Sequence, residues 1–336
     1  MSLATLLGLE GGLDPGLMKR LDRYLSEVDR ELLEQVGSSV ELVESVGVVT
    51  LRSGGKRIRP ALAYVSALAT GRTVDDERAS RVGACLELIH MATLIHDDVI
   101  DQAATRRNQP TAASLHGNTA AILGGDVLLA KSMRILAQDG DLDLIRAVSS
   151  AVVEMAEGEV REVEVRGEFD ISEQDHREVI RKKTAAFTQV CCEAGALLAG
   201  ASDAHRDALA RFGHHLGMAF QITDDVLDYE GDPVLTGKPH ATDFREAQAT
   251  LPLIYLRDTL SEEESSFTRK KFGNGVSDDD LAMIRAWMQT RGALNQARAE
   301  AERHAEIAWL ALETLPDSEV RGLLASLARF SIDRCQ

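Results

Sequence analysis

Residues 88–107 read LIHMATLIHDDVIDQAATRR, and residues 220–238 read FQITDDVLDYEGDPVLTGK. Each stretch places the pattern DDxxD after an apolar run, and the spacing of its apolar residues by three and four predicts a helix. Residues four apart share a face of a helix, so the first and last aspartates of each pattern point to the same side. The sequence therefore predicts two aspartate triplets, each carried on an apolar helix.

The same helical spacing continues along nearly the whole chain, strict alternation is rare, and seven prolines in 336 residues leave long stretches uninterrupted. Residues that cap or end helices punctuate these stretches. The expected helices run from Pro60 to Ala69, from a cap at Ser172 to Ala199, from a cap at Ser202 to Tyr229, from a cap at Ser277 through LAMIRAWMQ, and from Ala293 to Leu315. We therefore predict an all-α protein in which residues 1–336 form a single domain and residues 1–20 are loosely ordered.

The composition excludes several classes of protein. With 44% hydrophobic residues, the chain is too apolar to be disordered, and a net charge of −17 argues against a general nucleic-acid binder. Four cysteines, two of them adjacent, are not a disulfide framework and favour the reducing cytoplasm. Residues 184–202 are almost uncharged, and we interpret them as a buried core helix rather than a membrane span. No targeting segment and no stable membrane insertion are expected.

The aspartates of the two patterns are candidate metal ligands: Asp97, Asp98, Asp101, Asp224, Asp225 and Asp228. Mg²⁺ prefers oxygen ligands and is often shared between carboxylates and substrate phosphates. A solvated acidic helix face is the alternative interpretation of one such triplet. Two triplets in apolar surroundings favour a metal, because an unpaired carboxylate is costly there.

Cations occur in positions that suit phosphate groups. The segment GGKRIRP, residues 54–60, puts three of them just before an expected helix, whose N-terminus favours anions. Arg106 and Arg107 follow the first triplet, and paired arginines suit forked recognition of phosphate. His90 lies two helical turns before Asp97 and shares its face. A hydrogen-bonded core histidine is the alternative for His90, and solvated lysines are the alternative for KK at 182–183 and for the lysine at 238.

These motifs, together with KKTAAF at residues 182–187, resemble those of trans-polyprenyl diphosphate synthases in sequence, order and spacing. The resemblance extends from about Leu21 to the C-terminus. It implies the all-α isoprenoid synthase fold, a bundle of long helices around a deep cavity, and a homodimer. It also implies an enzyme that ionises an allylic diphosphate, joins isopentenyl diphosphate to the resulting carbocation and releases a proton to the departing diphosphate.

The resemblance assigns a role to each motif residue. The six aspartates would bind Mg²⁺, three ions in each substrate-bound site, and the metal would carry the allylic diphosphate. The residues holding that diphosphate would be Arg106, Lys183 and Lys238, and those holding isopentenyl diphosphate would be Lys56, Arg59, His90 and Arg107. The oxygens of Thr184 and Gln221 would face the carbocation. One departure is Gln248, where many short-chain members carry a lysine, and it argues mildly against a farnesyl-diphosphate type of enzyme.

Product length is expected to depend on the helix that carries the first triplet, because in this family the growing tail extends along it. Counting back from Asp97, the residues facing the tail are Thr93, Ala92, Ile89 and Leu86. A helical turn rises about 5.4 Å, close to one isoprene unit. Ala92 and Thr93 are too small to block the growing tail at that depth of the cavity. We therefore expect a C30 to C45 product, with geranylgeranyl (C20) diphosphate as the main alternative. Plain helix packing is the other explanation for two small residues.

Two other functions are alternatives for this chain. A terpene cyclase usually lacks a complete second DDxxD and lines its pocket with aromatic residues, whereas this chain has the full pattern and only 4% aromatic residues. A subunit that is inactive without a partner chain is the alternative from another class. All six aspartates are retained, which favours a catalytic chain.

Overall fold

The computed structural model describes residues 14–230 and 240–333, and within these ranges the backbone is helical apart from connecting turns and one short hairpin. The first helices are α1 (Pro15–Val36), α2 (Glu41–Arg52), α3 (Ile58–Ala69), α4 (Asp76–Ile100), α5 (Ala112–His116), α6 (Asn118–Asp139), α7 (Leu142–Val165) and α8 (Glu173–Ile180). The later helices are α9 (Ala186–Leu198), α10 (Asp203–Glu230), α11 (Thr242–Arg245), α12 (Leu251–Arg257), α13 (Glu262–Lys271), α14 (Asp278–Thr290), α15 (Ala293–Ala311) and α16 (Glu319–Asp333). Strands β1 (Thr105–Arg106) and β2 (Gln109–Pro110) pair antiparallel.

The chain divides into two compact units. The first unit comprises residues 1–149, 191–207 and 315–324, and the second comprises residues 150–190, 208–314 and 325–336. The all-α prediction is confirmed. The expectation of one domain over the whole chain stays a prediction.

In the first unit, α4 packs against α1, α3 and most extensively against α6. Most of α4 is buried, so its apolar residues occur on all sides rather than on one stripe. Small residues permit the close approach: a Cβ at Gly83 would lie 2.2 Å from the hydroxyl of Tyr24, and a Cβ at Gly124 would lie 2.4 Å from Val46. Tyr24 donates its hydroxyl to the carbonyl of Pro60 at 3.0 Å, which ties α1 to α3.

In the second unit, the core gathers side chains from α10, α11, α12, α14 and α15, among them Ile222, Tyr229, Phe244, Leu253, Ile284 and Ala297. A π-helical turn, Arg181–Ala185, joins α8 to α9. It lies between two glycines: a Cβ at Gly158 would lie 2.6 Å from the backbone nitrogen of Lys183, and one at Gly217 would lie 2.7 Å from Cα of Ala185. The glycines therefore fix where the turn, and with it the KKT motif, can lie.

Several details of the sequence prediction are confirmed and some need correction. Ser172 and Ser277 cap their helices as expected, each accepting a backbone N–H three residues on. Helix α3 begins at Ile58 rather than Pro60, because a proline is tolerated within the first turn, whose N–H groups need no helical partner. The expected helix to Ala199 is interrupted by the π turn. Of the segment expected to be loosely ordered, residues 15–20 are helical and Asp14 caps them, whereas residues 1–13 lie outside the described residues.

No helix within residues 14–230 and 240–333 is both long enough and apolar enough to span a bilayer. The uncharged stretch after residue 184 instead forms α9, in which Cys191, Cys192 and Ala194 are buried.

Candidate active site

The first aspartate triplet forms the C-terminal end of α4. Asp97 is half-buried, Asp98 is buried and Asp101 is exposed as the residue that ends the helix. Asp98 accepts a hydrogen bond from Nε of Arg106 at 2.8 Å, which makes a partly buried ion pair. Burial raises the pKa of Asp98, and the charge of Arg106 opposes that rise. The middle aspartate is therefore held in place while its neighbours face outward.

The hairpin that follows α4 positions the two arginines. Thr105 pairs with Pro110 and Arg106 with Gln109, which leaves Arg107 and Asn108 as the turn. Both turn residues have positive φ, 51° and 60°, as the tightest hairpin turns require. Arg106 consequently points back to the triplet, while Arg107 donates a hydrogen bond to the carbonyl of Gly54.

The GGKRIRP segment lies beside Arg107 and surrounds a buried carboxylate. Arg57 has φ 49° at the start of α3, and its guanidinium donates to Asp29 at 2.8 Å and to Glu87 at 3.1 Å. Glu87 is only 4% exposed. A Cβ at Gly55 would lie 2.8 Å from Arg57 and 3.3 Å from Arg107, so a larger residue there would push the two guanidinium groups apart.

The electrostatics of this cluster depend on burial. Burial lowers the pKa of Arg59, and Glu87 opposes that effect. Burial also lowers the pKa of His90 well below its usual value, and the charges of Arg59, Arg107, Arg106 and Arg57 lower it further. His90 is therefore neutral at neutral pH and can donate one N–H to an anion without adding charge. Lys56 lies in the same segment but is exposed.

The second triplet lies near the end of α10. Asp224 is half-buried, and Asp225 is buried with hydrogen bonds to both oxygens, from Nε2 of Gln221 at 3.1 Å and from Nε2 of His176 at 3.2 Å. The hydroxyl of Thr184 donates to Oε1 of Gln221 at 2.9 Å. The π turn, α10 and α8 thus meet in one chain of hydrogen bonds.

Asp228, the last member of the second triplet, connects to the short helix α11. Its carboxylate accepts the backbone N–H of Thr242 at 3.1 Å and that of Asp243 at 3.0 Å. The start of a helix favours such an anion, because its first N–H groups have no partner within the helix. Burial, together with the charges of Asp228 and Asp225, raises the pKa of the Asp243 side chain well above its usual value.

Lys183 is partly buried between two acidic residues of α7. Its Nζ lies 2.8 Å from Glu159 and also contacts Glu162. Burial alone would lower the pKa of Lys183, but Glu162 and Glu159 raise it above its usual value, so the lysine keeps its charge. Lys182 points to a different pair of acids, Glu157 at 2.7 Å and Glu178 at 3.9 Å.

The aspartate triplets are suited to a hard cation that also binds substrate oxygens. Both offer carboxylate oxygens, the ligand type that Mg²⁺ prefers. In residues 14–230 and 240–333, no three His, Cys, Asp or Glu side chains converge into a metal cage. Mg²⁺ commonly takes one or two carboxylates and completes its shell with phosphate and water, so the donor set fits.

One of the proposed chain-length residues, Ala92, faces α6. It shares a stripe of α4 with Cys85 and His96. The thiol of Cys85 donates to the carbonyl of Ser132 on α6 at 3.4 Å, and a Cβ at Gly125 of α6 would lie 2.4 Å from His96. Because Ala92 lies between these contacts and is 2% exposed, its surroundings favour the alternative of helix packing, and its role in product length stays a prediction.

Thr93 lies on the neighbouring stripe with His90 and Asp97, and all three are half-buried. Its hydroxyl donates to the carbonyl of His90 at 2.9 Å, so no polar group is left unsatisfied there. Leu86, lower on this stripe, and Ile89 are fully buried. Thr93 is therefore the small residue that borders the accessible face of the triplet.

Most of the predicted site residues lie near one of the two aspartate triplets. Arg59, His90, Arg106 and Arg107 gather near the first triplet, and Thr184 and Gln221 join the second. Lys238 lies outside the described residues. Gln248 is half-buried, and its backbone N–H donates to the carbonyl of Asp243 at 2.7 Å.

Sequence reasoning missed the partners that hold these groups. The partners that were missed are Glu87, Glu159, Glu162, His176 and Asp243. Glu159 and Glu162 carried a usable signal, since they lie one turn apart on a helix that precedes two lysines. His176 carried none, because only tertiary packing brings α8 to Asp225.

The chain is similar to known proteins in sequence and in structure. The chain matches a family model described as polyprenyl synthetase over residues 40–288. It is 36% identical to the all-trans-nonaprenyl-diphosphate synthase (geranyl-diphosphate specific) of Rhodobacter capsulatus. The aligned 309 residues cover 92% of this chain and 94% of that protein. It is 35% identical over 306 residues to heptaprenyl diphosphate synthase component 2 of Geobacillus stearothermophilus, with coverage of 91% and 94%. A solved structure of a decaprenyl diphosphate synthase from Rhodobacter capsulatus superimposes with a TM-score of 0.89 at 33% identity, over 95% of this chain and 98% of that one.

A prenyltransferase of the all-α isoprenoid synthase fold is the class that the helices and these similarities define. The chain belongs to the polyprenyl synthetase family. The resemblance drawn from the sequence motifs is thereby confirmed.

The neutral state of His90 predicts a pH dependence of stability. The unfolded chain binds a proton at His90 below about pH 6.5, whereas the folded protein does not until its lower pKa is reached. The free energy of unfolding should therefore fall on acidification, by up to about 1.4 kcal/mol per pH unit for this group. In urea titrations between about pH 7 and about pH 5, His90→Gln should show a shallower decline than the wild type.

Other histidines in the molecule do not obscure this comparison. Burial lowers the pKa of His215 and of His304 to about 4, and both add the same trend to both proteins. Equal slopes for the wild type and His90→Gln would show that folding does not lower the pKa of His90.

Proposed function

We propose that the chain is a Mg²⁺-dependent trans-prenyltransferase that condenses isopentenyl diphosphate with an allylic diphosphate and makes a long all-trans polyprenyl diphosphate of C30 to C45. The feature of the first unit that supports this function best is the aspartate triplet at the end of α4. It adjoins the neutral His90 and four arginines, Arg57, Arg59, Arg106 and Arg107. A carboxylate triplet suits a divalent cation, and a group of arginines suits a diphosphate.

The residues that would hold Mg²⁺ are the aspartates of the two triplets, and we propose three ions for each bound pair of substrates. When bound, Mg²⁺ neutralises charge on the departing diphosphate. Asp98 and Asp225 are buried and hydrogen-bonded, so they keep each triplet in a fixed orientation. The ion pair between Arg106 and Asp98 also holds this guanidinium next to the metal ligands, where an allylic diphosphate would be bound.

The second unit supplies groups that suit a carbocation and its diphosphate. Thr184 gives its hydroxyl hydrogen to Gln221, so its oxygen lone pairs remain available to a positive charge. Gln221 is itself held by donation to Asp225. Lys183 remains charged between Glu159 and Glu162 and can contact a diphosphate. The released diphosphate accepts the proton that is lost, so no protein base is required.

The product length is proposed from the relatives and from α4. Proteins named nonaprenyl, heptaprenyl and decaprenyl diphosphate synthase are similar over more than nine-tenths of this chain. The accessible stripe of α4 carries the small residue Thr93 rather than an aromatic one. Geranylgeranyl diphosphate is the alternative product, and in that case the buried Leu86 or Ile89 would be the residue that stops elongation of the tail.

A product assay with the purified chain tests the proposal directly. The protein, MgCl₂, labelled isopentenyl diphosphate and farnesyl diphosphate are incubated, and the dephosphorylated products are sized by chromatography. We expect a ladder that ends between C30 and C45. A stop at C20 would keep the enzyme class and overturn the length. The similarity to a protein named component 2 makes a partner chain the alternative, and an absence of turnover by the chain alone would favour it.

The two small residues of α4 should behave differently when enlarged. Thr93→Phe fills the accessible stripe and should shorten the main product while the protein keeps its melting temperature. Ala92→Phe enlarges the face that packs on α6 and should cost about 1–3 kcal/mol of stability. The same product assay, with thermal melts of both variants, measures this. An unchanged product from Thr93→Phe would remove Thr93 as a determinant of length.

We also propose that the chain forms a homodimer through α7 and works in the cytoplasm. Val153, Ala156, Val160 and Val163 are exposed and recur at spacings of three and four, which makes an apolar stripe of the kind that packs against another helix. Exposed contiguous apolar surface commonly marks a protein interface. The free, buried cysteines of the described residues, Cys85, Cys191 and Cys192, suit a reducing compartment.

The dimer proposal is tested by charge on this stripe. Val160→Glu combined with Val163→Glu should convert a dimer to a monomer in light scattering coupled to size exclusion, because two carboxylates would be buried without partners. Leu33→Glu, a similarly exposed apolar site on α1, is the control and should leave the dimer intact. A monomeric wild type would refute the dimer itself. A dimeric Val160→Glu, Val163→Glu double variant would refute the stripe as its interface.

A further inference from the structure

The buried aspartate of the second triplet is held from two directions. Asp225 is 4% exposed, and each carboxylate oxygen accepts one hydrogen bond, Oδ1 from Gln221 at 3.1 Å and Oδ2 from His176 at 3.2 Å. Gln221 lies four residues earlier on the same helix, so it connects Asp225 to another element only indirectly, through Thr184. His176 belongs to α8, and its bond connects two helices at the triplet.

The imidazole of His176 is itself rigidly placed. Its ring is buried, with 6% of the residue exposed, and its backbone N–H donates to the carbonyl of Ser172, the residue that caps α8. The next residue, Arg177, donates to Glu173 at 2.9 Å and contacts Glu300 on α15. The contact with Glu300 ties α8 to α15, and burial leaves the ring of His176 little room to turn.

The chemistry of the pair determines which nitrogen carries the hydrogen. A carboxylate only accepts hydrogen bonds, so the Nε2 of His176 must be the donor. Two donors on two oxygens fix the plane of the Asp225 carboxyl group, as outer partners of a metal-binding carboxylate generally do. Removing one donor would let that plane rotate and would leave a buried oxygen without a partner.

We propose that His176 is a positioning residue that orients the carboxylate of Asp225 for Mg²⁺ through its Nε2–H. The inference rests on the proposed function, in which the second triplet binds Mg²⁺. His176 does not contact the reacting atoms and acts through Asp225. The chain of hydrogen bonds from Thr184 through Gln221 to Asp225 thereby gains a fourth member on a separate helix.

The test compares three variants. His176→Phe keeps a ring of similar shape without a donor, and His176→Gln offers an amide N–H that can replace Nε2–H. His215→Phe is the matched control: it removes another histidine of the second unit, whose hydrogen bond at 2.8 Å goes to His304 rather than to the triplet. The Mg²⁺ dependence of product formation is measured for each. We expect His176→Phe to need about 10- to 100-fold more Mg²⁺, with an unchanged KM for isopentenyl diphosphate, and His176→Gln to recover most of the loss.

Two readouts do not depend on turnover. The rise in melting temperature caused by MgCl₂ with inorganic pyrophosphate should shrink in His176→Phe and persist in His215→Phe. Long-range ¹H–¹⁵N spectra should show an Nε2–H imidazole in the wild type that disappears from His176→Gln. A wild-type Mg²⁺ requirement in His176→Phe, or an Nδ1–H tautomer, would overturn the proposal. An inactive wild type with an intact pyrophosphate shift would count against the proposed function alone, and if His176→Phe does not fold, His176→Gln and the spectra decide.

Discussion

A carboxylate buried in a helical core has to be matched by a donor from outside its own helix. This constraint acts at the middle aspartate of both triplets. Asp98 is matched by Arg106 from the hairpin, and Asp225 by His176 from α8. The flanking aspartates are more accessible, so each triplet combines one buried carboxylate with neighbours that can reach a cation. The hairpin and α8 therefore lie next to the aspartate that each of them binds.

The same constraint explains the cationic cluster of the first unit. Several arginines near one another would repel without a counter-charge, and Glu87, three residues before His90 on α4, supplies it. Gly55 of the GGKRIRP segment leaves room for the guanidinium groups to approach this carboxylate, and the left-handed backbone of Arg57 directs its side chain to it. A diphosphate would add further negative charge to a site already arranged around one buried anion.

The positions of small residues on α4 show why two neighbouring residues can have unrelated roles. Ala92 and Thr93 differ by about 100° around the helix. That rotation places Ala92 against α6 and Thr93 on the accessible stripe. The sequence presents both as small residues just before the triplet, and only the packing of α6 separates helix contact from lining of the accessible face.

The sequence by itself determined the all-α class, the caps at Ser172 and Ser277, the two triplets and the family, because these depend on local spacing and on motifs in one stretch of chain. It also identified the residues with charge or oxygen atoms suited to diphosphate and Mg²⁺. Tertiary structure decided which partners fix them: Glu87 for Arg57, Glu159 and Glu162 for Lys183, and His176 for Asp225. These contacts join residues separated by many turns of helix. Apart from the spacing of Glu159 and Glu162, no local pattern records them, since the energy of burying a charge depends on whatever the fold brings alongside it.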